Sequence, residues 1–461
     1  MVKLNLTKSL KYLKQAKKVI PTGSQTFSKS TFAFSEGASP MFLDKGLGCK
    51  VTDVDGNKYI DYVMGCQPLI LGYADKDVNL AVKKQLDLGS TFSLNNVLEI
   101  EVANLLIKHI PCAESVRFGK NGADATSAAI KIARAVTNKE HIAFCGYHGW
   151  HDWFISNTNL NKGIPKETSK LSHSFNFNDI ESLKKIFKKY KNKISCVIME
   201  PITVSKPSCI KKSKCTNFRC RLNCQKNFLH AVQELCKKNN SLLIFDEVVT
   251  GFRYSLGGAQ KLFNIKPDLA CFAKAISNGI PLSAVVGKKK YMKYFNKVFF
   301  SFTYGGDCVG LAAAKACINK LEKKNVLKHI YQMGELLKNG INKAITHNSV
   351  DDFFSCIGEP CRSILQIKST DEKKSLEYKT FIQQELFKEG ILWTGYHVVS
   401  WMHKKKDILK TIKKFNIVLE RFSKIIYTKK KFSKYLQGKT CKPIFTRVAD
   451  FNAASLGKVK N

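Results

Sequence analysis

Leu242-Leu243-Ile244-Phe245-Asp246-Glu247 is a short apolar run cut off by two carboxylates. A run of this kind reads as a buried parallel strand, and in open α/β sheets ligands bind where such strands stop at their carboxyl edges. Lys274 comes 28 positions after Asp246 (274 − 246), within Pro267-Asp268-Leu269-Ala270-Cys271-Phe272-Ala273-Lys274-Ala275-Ile276-Ser277-Asn278-Gly279. That stretch is mostly apolar and carries one amine into a Gly-containing turn. A buried carboxylate and a half-buried lysine are the two groups that pyridoxal phosphate needs. The lysine forms a Schiff base with its aldehyde, and the aspartate pairs with the pyridinium nitrogen so that the ring stays an electron sink.

Outward from this stretch the fold class is α/β. Between about residues 70 and 310, apolar strand-like runs at 194–199, 242–245 and 282–286 alternate with helical patterns. That alternation predicts a large domain with a mostly parallel, doubly wound sheet. Residues 1–69 carry a hairpin signal, with 51–54 and 58–62 flanking Asp55-Gly56-Asn57. Residues 311–445 open with helical patterns at 311–321 and 327–345 and continue as mixed α+β. These two end segments predict one smaller α+β domain, and 446–461 reads as a tail. The one composition break, 205–226, is a Cys- and Lys/Arg-rich insertion.

Composition excludes little and raises one question. The chain has 461 residues, 44% hydrophobic and 24% charged, which is ordinary for a globular protein with a sizeable core. Its net charge of +40, from 76 Lys+Arg against 36 Asp+Glu, is not ordinary. The lysines are spread along the chain, as at 184–185, 288–290, 404–406 and 429–431, rather than gathered into one arm. Solvated faces explain them, with a functional polyanion surface as the alternative; no nucleic-acid partner is expected. The first 35 residues lack Asp and Glu. Leu10, Leu13, Ala16, Val19 and Ile20 nevertheless make an apolar helical stripe ended by Pro21-Thr22-Gly23, an amphipathic helix rather than a transit peptide. No segment is long and apolar enough to span a membrane, so none is expected as a partner. Sixteen cysteines without a signal peptide point to reduced thiols and a cytoplasmic location.

Three further segments carry chemistry. Phe118-Gly119-Lys120-Asn121-Gly122-Ala123 opens a helical run over 127–136, and a small-residue turn at a helix N-terminus is a seat for phosphate. Gly146-Tyr147-His148-Gly149-Trp150-His151-Asp152-Trp153 clusters aromatics and imidazoles. Tyr147 there either stacks on a flat heterocycle or is ordinary core packing. Cys209, Cys215, Cys220 and Cys224 lie within 16 residues. They are either a tetrahedral metal site or free thiols, and the paired C-x₂-C spacing of zinc ribbons is absent.

Asn121-Gly122-Ala123-Asp124-Ala125, Tyr147-His148-Gly149, Glu200-Pro201, Phe245-Asp246-Glu247-Val248-Val249-Thr250-Gly251-Phe252-Arg253, Ala273-Lys274 and Thr303 follow one another in a known order and spacing. The chain thereby resembles the class III aminotransferases of the PLP-dependent transferase fold type I, over about residues 9 to 445. Within them it is similar to glutamate-1-semialdehyde 2,1-aminomutase and its aminotransferase-like relatives. The resemblance implies that Lys274 binds the cofactor aldehyde and moves the reacting proton, and that Asp246 holds the pyridinium proton. It implies backbone donors to the phosphate from Asn121, Gly122 and Ala123, a ring cover by Tyr147 beside His148, and a site lined by Glu200 and Glu247. It also implies a homodimer with shared active sites, in which Thr303 reaches the partner's phosphate.

Departures bear on the substrate. The aminomutase has an arginine where Lys29 stands and a tryptophan where Cys66 aligns, and a lysine does not replace a bidentate arginine on a carboxylate. With Trp150 and Glu247, these are the candidate substrate residues. The wording Gln25-Thr26-Phe27-Ser28-Lys29-Ser30 resembles aminotransferases of surface-polysaccharide pathways. The expected reaction is amino transfer from a small-molecule donor to a keto or aldehyde acceptor, an amino-sugar precursor among them. The aminomutase reaction is the alternative. A catalytically idle basic binding protein is the reading from another class, and the presence of Lys274, Asp246 and Thr303 opposes it.

Overall fold

The computed structural model describes residues 4–209, 227–428 and 431–443. By contact the described residues form two units, one within 76–325 and one that joins 4–75 to 326–443.

The first unit is built on a seven-stranded sheet. Its strands are β1 (Ser115–Gly119), β2 (His141–Cys145), β3 (Ser172–Ser174), β4 (Ile194–Met199), β5 (Leu242–Asp246), β6 (Leu269–Phe272) and β7 (Ser283–Gly287), in the order β1-β7-β6-β5-β4-β2-β3. Every residue of β4 and β5 is buried, as expected for apolar strands covered on both faces. Strands β2 to β6 pair in parallel, whereas β7 runs against both its neighbours, β6 and β1. β1 therefore points the same way as the parallel set.

The helix Gly122–Thr137 lies on this sheet. Its Ala125, Ala128, Ala129 and Ala133 are small enough to let Phe144, Ile198, Ile244 and Leu269 pack close beneath it. Asn138 ends it in the left-handed conformation. The helix Cys308–Lys323, which the sequence places in the following domain, belongs to this unit. It buries Leu311, Ala313 and Ala314 and packs against the helices Lys76–Leu88 and Val97–His109.

The carboxyl edges are what matter for function. From β2 the sheet extends to β3 on one side and to β4 on the other, and such a reversal opens a crevice at the carboxyl ends. Gly146 to His148 follow β2, Glu200 follows β4, Asp246 ends β5, Lys274 follows β6, and the Lys120-Asn121 turn follows β1.

The second unit is α+β. The hairpin around Asp55-Gly56-Asn57 forms as expected, with Lys50 opposite Ile60 and Thr52 opposite Lys58. Ile391–Leu392 adds in parallel to Lys58–Asp61, which ties the two end segments into one sheet. Three antiparallel strands (Phe354–Glu359, Arg362–Ile367, Tyr396–Val398) and the helices Val326–His347, Glu372–Lys388 and Lys405–Ile426 complete it. The N-terminal helix, Thr7–Val19, buries a narrower face than its apolar stripe suggests: Leu13 and Ala16 are inside, Leu10 and Val19 outside. Its orientation is set by anchors. The amides of Lys8 and Ser9 donate to the Asp55 carboxylate (2.7 and 2.8 Å), and the Met41 amide donates to Ser9 Oγ (2.8 Å). Among the described residues no helix is long and apolar enough to cross a membrane.

Candidate active site

The centre of the first unit is a buried carboxylate. Asp246 and His148 are each almost fully buried, and His148 Nδ1–H donates to Asp246 Oδ2 over 2.7 Å. The other oxygen accepts from the Val248 amide at 3.0 Å. Two donors, one on each oxygen, fix the orientation of this carboxylate. His148 is itself fixed in an aromatic box, parallel to Trp153 (5.9 Å between centroids) and edge-on to Phe144 and Phe154. The His148-Gly149 turn is tied to the helix Gly122–Thr137 by Thr126, whose Oγ1 donates to the His148 carbonyl at 2.8 Å. Gly149 sits there at φ +108°, and an added Cβ would lie 2.6 Å from Ala123 Cβ, so only glycine fits.

The start of that helix is a small-residue cradle. The Asp124 carboxylate accepts from the amides of Lys120 (3.1 Å) and Asn121 (2.7 Å), which closes the turn. The Asn121 amide is therefore engaged, contrary to its expected role as a phosphate donor. Gly122 and Ala123 keep amides with no partner among the described residues. Those are two of the open N–H groups that every helix start presents, with the positive end of its dipole. Val248 closes in from β5, since a Cβ on Gly122 would meet Val248 Cγ1 at 2.9 Å.

Glu200 acts on the neighbouring loop. Its Oε1 accepts from the Tyr147 amide at 2.7 Å, beneath Gly146 at φ +121°. Tyr147 stands edge-on to Phe154 (5.5 Å) with its ring nearly half exposed. Lys274 is partly buried at the first position of a 3₁₀ turn, Lys274–Ser277, with φ +51°. A non-glycine residue in the left-handed region stores strain, a cost that collects at functional sites. Trp150 and Thr303 are exposed.

Glu247 departs from expectation. Its carboxylate accepts from Thr250 Oγ1, from the Ala259 amide (2.7 Å) and from the Gln260 amide (2.9 Å), so it caps the short helix Gly258–Leu262 inside the core. It does not line a substrate pocket. Glu247→Ala should cost on the order of 2–4 kcal/mol in urea unfolding by orphaning those donors. Burial pushes this carboxyl from 4.5 up to about 7, against the pull of Thr250, Gln260 and Ala259. The folded state thus binds the proton more tightly. The group's contribution is full below pH 4.5 and is lost as pH rises through about 7. The stability of wild type relative to Glu247→Gln should accordingly fall across that window, and a flat difference would contradict it.

Lys29 and Cys66 lie in the other unit. Lys29 is exposed in the short turn Phe27–Lys29, and Cys66 is half-buried at φ +71° within a run of left-handed residues from Met64 to Gln67. Cys209 is half-buried, and Cys215, Cys220 and Cys224 lie outside the described residues. No group of metal-binding side chains occurs among the described residues. Sequence reasoning missed Asp124, Thr126 and Val248. The Asn121-to-Asp124 spacing is a capping signal that points to the first. The other two act through tertiary contacts that no local pattern reveals.

The open amides of Gly122 and Ala123, the buried Asp246 and the strained Lys274 fit a phosphorylated pyridine aldehyde. The chain matches the family "Aminotransferase class-III" over residues 31–397, and it belongs to that family of pyridoxal phosphate enzymes. It is 33% identical over 428 residues to the 3-aminobutyryl-CoA aminotransferase of Cloacimonas acidaminovorans (strain Evry), covering 92% of this chain and 99% of that one. It is 34% identical over 446 residues to the glutamate-1-semialdehyde 2,1-aminomutase of Wigglesworthia glossinidia brevipalpis, covering 91% and 99%. Its fold is similar to that of the FumI protein of Sphingopyxis sp. MTA144 in its PLP internal aldimine form. That comparison gives a TM-score of 0.82 at 23% identity, over 93% of this chain and all of the other.

Proposed function

We propose that this chain transfers an amino group from a small-molecule amine to a keto or aldehyde acceptor, with residues of the first unit holding pyridoxal phosphate. The observation that carries the reading is the buried His148–Asp246 pair at the end of β5, in the same unit as an open helix start. When bound, the cofactor supplies an electron sink for charge that develops at the substrate carbon. Asp246 holds the proton on the ring nitrogen, and His148 fixes the carboxylate that does so. Gly122 and Ala123 donate to the phosphate. Tyr147, with its amide pinned by Glu200, covers one ring face. Lys274 would take the proton from the substrate carbon and deliver it to the carbon on the other side of the amino nitrogen, from a backbone position held in the left-handed region.

Amino transfer is favoured over the aminomutase reaction by Lys29 and Cys66, which replace the arginine and tryptophan of the aminomutase. The acceptors proposed include keto-sugars, and the amine of a 3-aminobutyryl thioester is a further donor candidate given the relative at 33% identity. Single-turnover half-reactions with glutamate, amino sugars and 3-aminobutyryl-CoA, read by cofactor absorbance, test this. Rapid isomerisation of glutamate-1-semialdehyde without any donor would overturn it in favour of the aminomutase.

The same reading includes a homodimer. Leu80, Leu86, Leu94, Val97 and Ile100 are exposed in the first unit, Leu94 at 85%, and Phe299 is exposed at 82%. These stretches adjoin: the Cys308 amide donates to the Ser90 carbonyl at 2.9 Å, and a Cβ on Gly306 would lie 2.9 Å from the Glu99 carboxyl. Exposed apolar side chains of this size support a reading in which a partner subunit covers them. Thr303 would then serve the partner's phosphate. Mixing Lys274→Ala with Thr303→Ala subunits should restore about a quarter of wild-type activity, from one intact site in each of the half of the dimers that are mixed. Absence of recovery after verified subunit exchange would refute a shared site.

A further inference from the structure

The phosphate turn holds one cation, Lys120, and it is not turned to a ligand. Lys120 Nζ lies 2.6 Å from Asp307 Oδ2, with both side chains largely buried (21% and 13% exposed). At its backbone Lys120 is fixed by Asp124, whose carboxylate also closes the turn at Asn121. Asp307 caps the helix Cys308–Lys323, accepting from the Gly310 amide at 2.9 Å. A second link runs from the same strand to the other end of the same loop. Arg117 on β1 donates through Nη2 to the Phe300 carbonyl at 3.1 Å, with its guanidinium over the Phe295 ring (5.9 Å). Between these two anchors, Phe302, Thr303 and Tyr304 project exposed.

We propose that Lys120 is a positioning residue that locks the cofactor's phosphate turn to the loop offered to the second subunit, so that one ion pair sets the geometry of both. This rests on the homodimer reading above. Because Asp124 rigidifies the turn and Asp307 rigidifies the helix, the pair joins two fixed bodies rather than two mobile side chains. An ion pair between such bodies transmits position, whereas a surface pair does not. Removing the ammonium leaves the largely buried Asp307 carboxylate without its counter-ion, and both the turn and the loop lose their mutual reference.

The test uses the full-length protein stripped of cofactor and measures two constants: pyridoxal phosphate affinity by absorbance titration, and dimer dissociation by sedimentation. Lys120→Met should weaken each by about tenfold or more, as expected when one partner of a largely buried pair is removed. Lys120→Arg keeps the cation and should hold both within about threefold of wild type. In a double-mutant cycle with Asp307→Asn, which retains a helix-capping side chain, the double variant should lose no more than Lys120→Met alone. If Lys120→Met shifts only cofactor affinity, the lysine serves the phosphate directly and the lock is overturned. If it shifts only the dimer constant, or neither, the lock is equally overturned. A wild-type protein that binds the cofactor as a monomer would instead overturn the dimer reading on which the proposal stands, and the two failures are told apart by the wild-type sedimentation alone.

Discussion

Lys274→Ala should leave a folded protein with turnover reduced by at least about 10³-fold, the scale of a positioned acid–base group. Two functions vanish together in this variant: the covalent hold on the cofactor, and the amine that carries the proton. The left-handed backbone at Lys274 sharpens the expectation, because φ +51° fixes where the side chain begins. Alanine keeps that backbone cost and removes the amine, so any loss of activity is chemical rather than a rearranged turn. Lys274→Gly relieves the strain as well, and it should be slightly more stable than Lys274→Ala while equally inactive. Borohydride reduction should fix the cofactor to wild-type chain at one equivalent and to neither variant. Stoichiometric labelling of Lys274→Ala would assign the chemistry to another lysine.

Asp246→Asn should be the second most damaging change, with a loss on the order of 10²-fold or more in kcat. The amide is nearly isosteric, so the fold should survive. Its consequences run in two directions. Toward the ring nitrogen it offers no negative charge to hold a proton, and the electron sink weakens. Toward His148 it presents a neutral partner where a carboxylate accepts at 2.7 Å, so the imidazole loses its strong acceptor inside the box of Phe144, Phe154 and Trp153. His148→Asn should give a smaller loss of the same kind, since it leaves the Asp246 charge but loosens its aim. Near-normal kcat in Asp246→Asn, with cofactor bound, would remove the pyridinium from the proposed chemistry.

What the sequence discloses depends on the range of the force that decides each feature. Strand β5 was legible because four apolar residues followed by two carboxylates have few other homes in an α/β protein. The helix Gly122–Thr137 and the hairpin at Asp55-Gly56-Asn57 were legible for the same local reason: caps, turns and periodicity act over a few residues. The run at 282–286 is a strand as expected, yet periodicity carries no direction, and only pairing with β1 and β6 reveals that β7 is reversed. Glu247 misled because it stands beside Asp246 in sequence while its acceptors are satisfied by Ala259 and Gln260, more than ten residues on. Asn121 misled because its amide is claimed by Asp124, a capping contact that was visible in the spacing. Leu10 and Val19 read as core from periodicity, but the Asp55 and Ser9 anchors turn the helix so that they face solvent.

The reversed strand also sets a timetable for synthesis. Among the described residues β1 has a single neighbour in the sheet, β7, and Ser115 pairs with Gly287, 172 positions later (287 − 115). A contact that closes so long a loop forms slowly and late. Strands β2 to β5 can assemble as the chain emerges, but β1 waits with both edges open until residue 287 has been made. The phosphate turn that follows β1 is therefore among the last parts of the unit to take shape, and a chain that stalls before β7 exposes an unpaired strand to its neighbours.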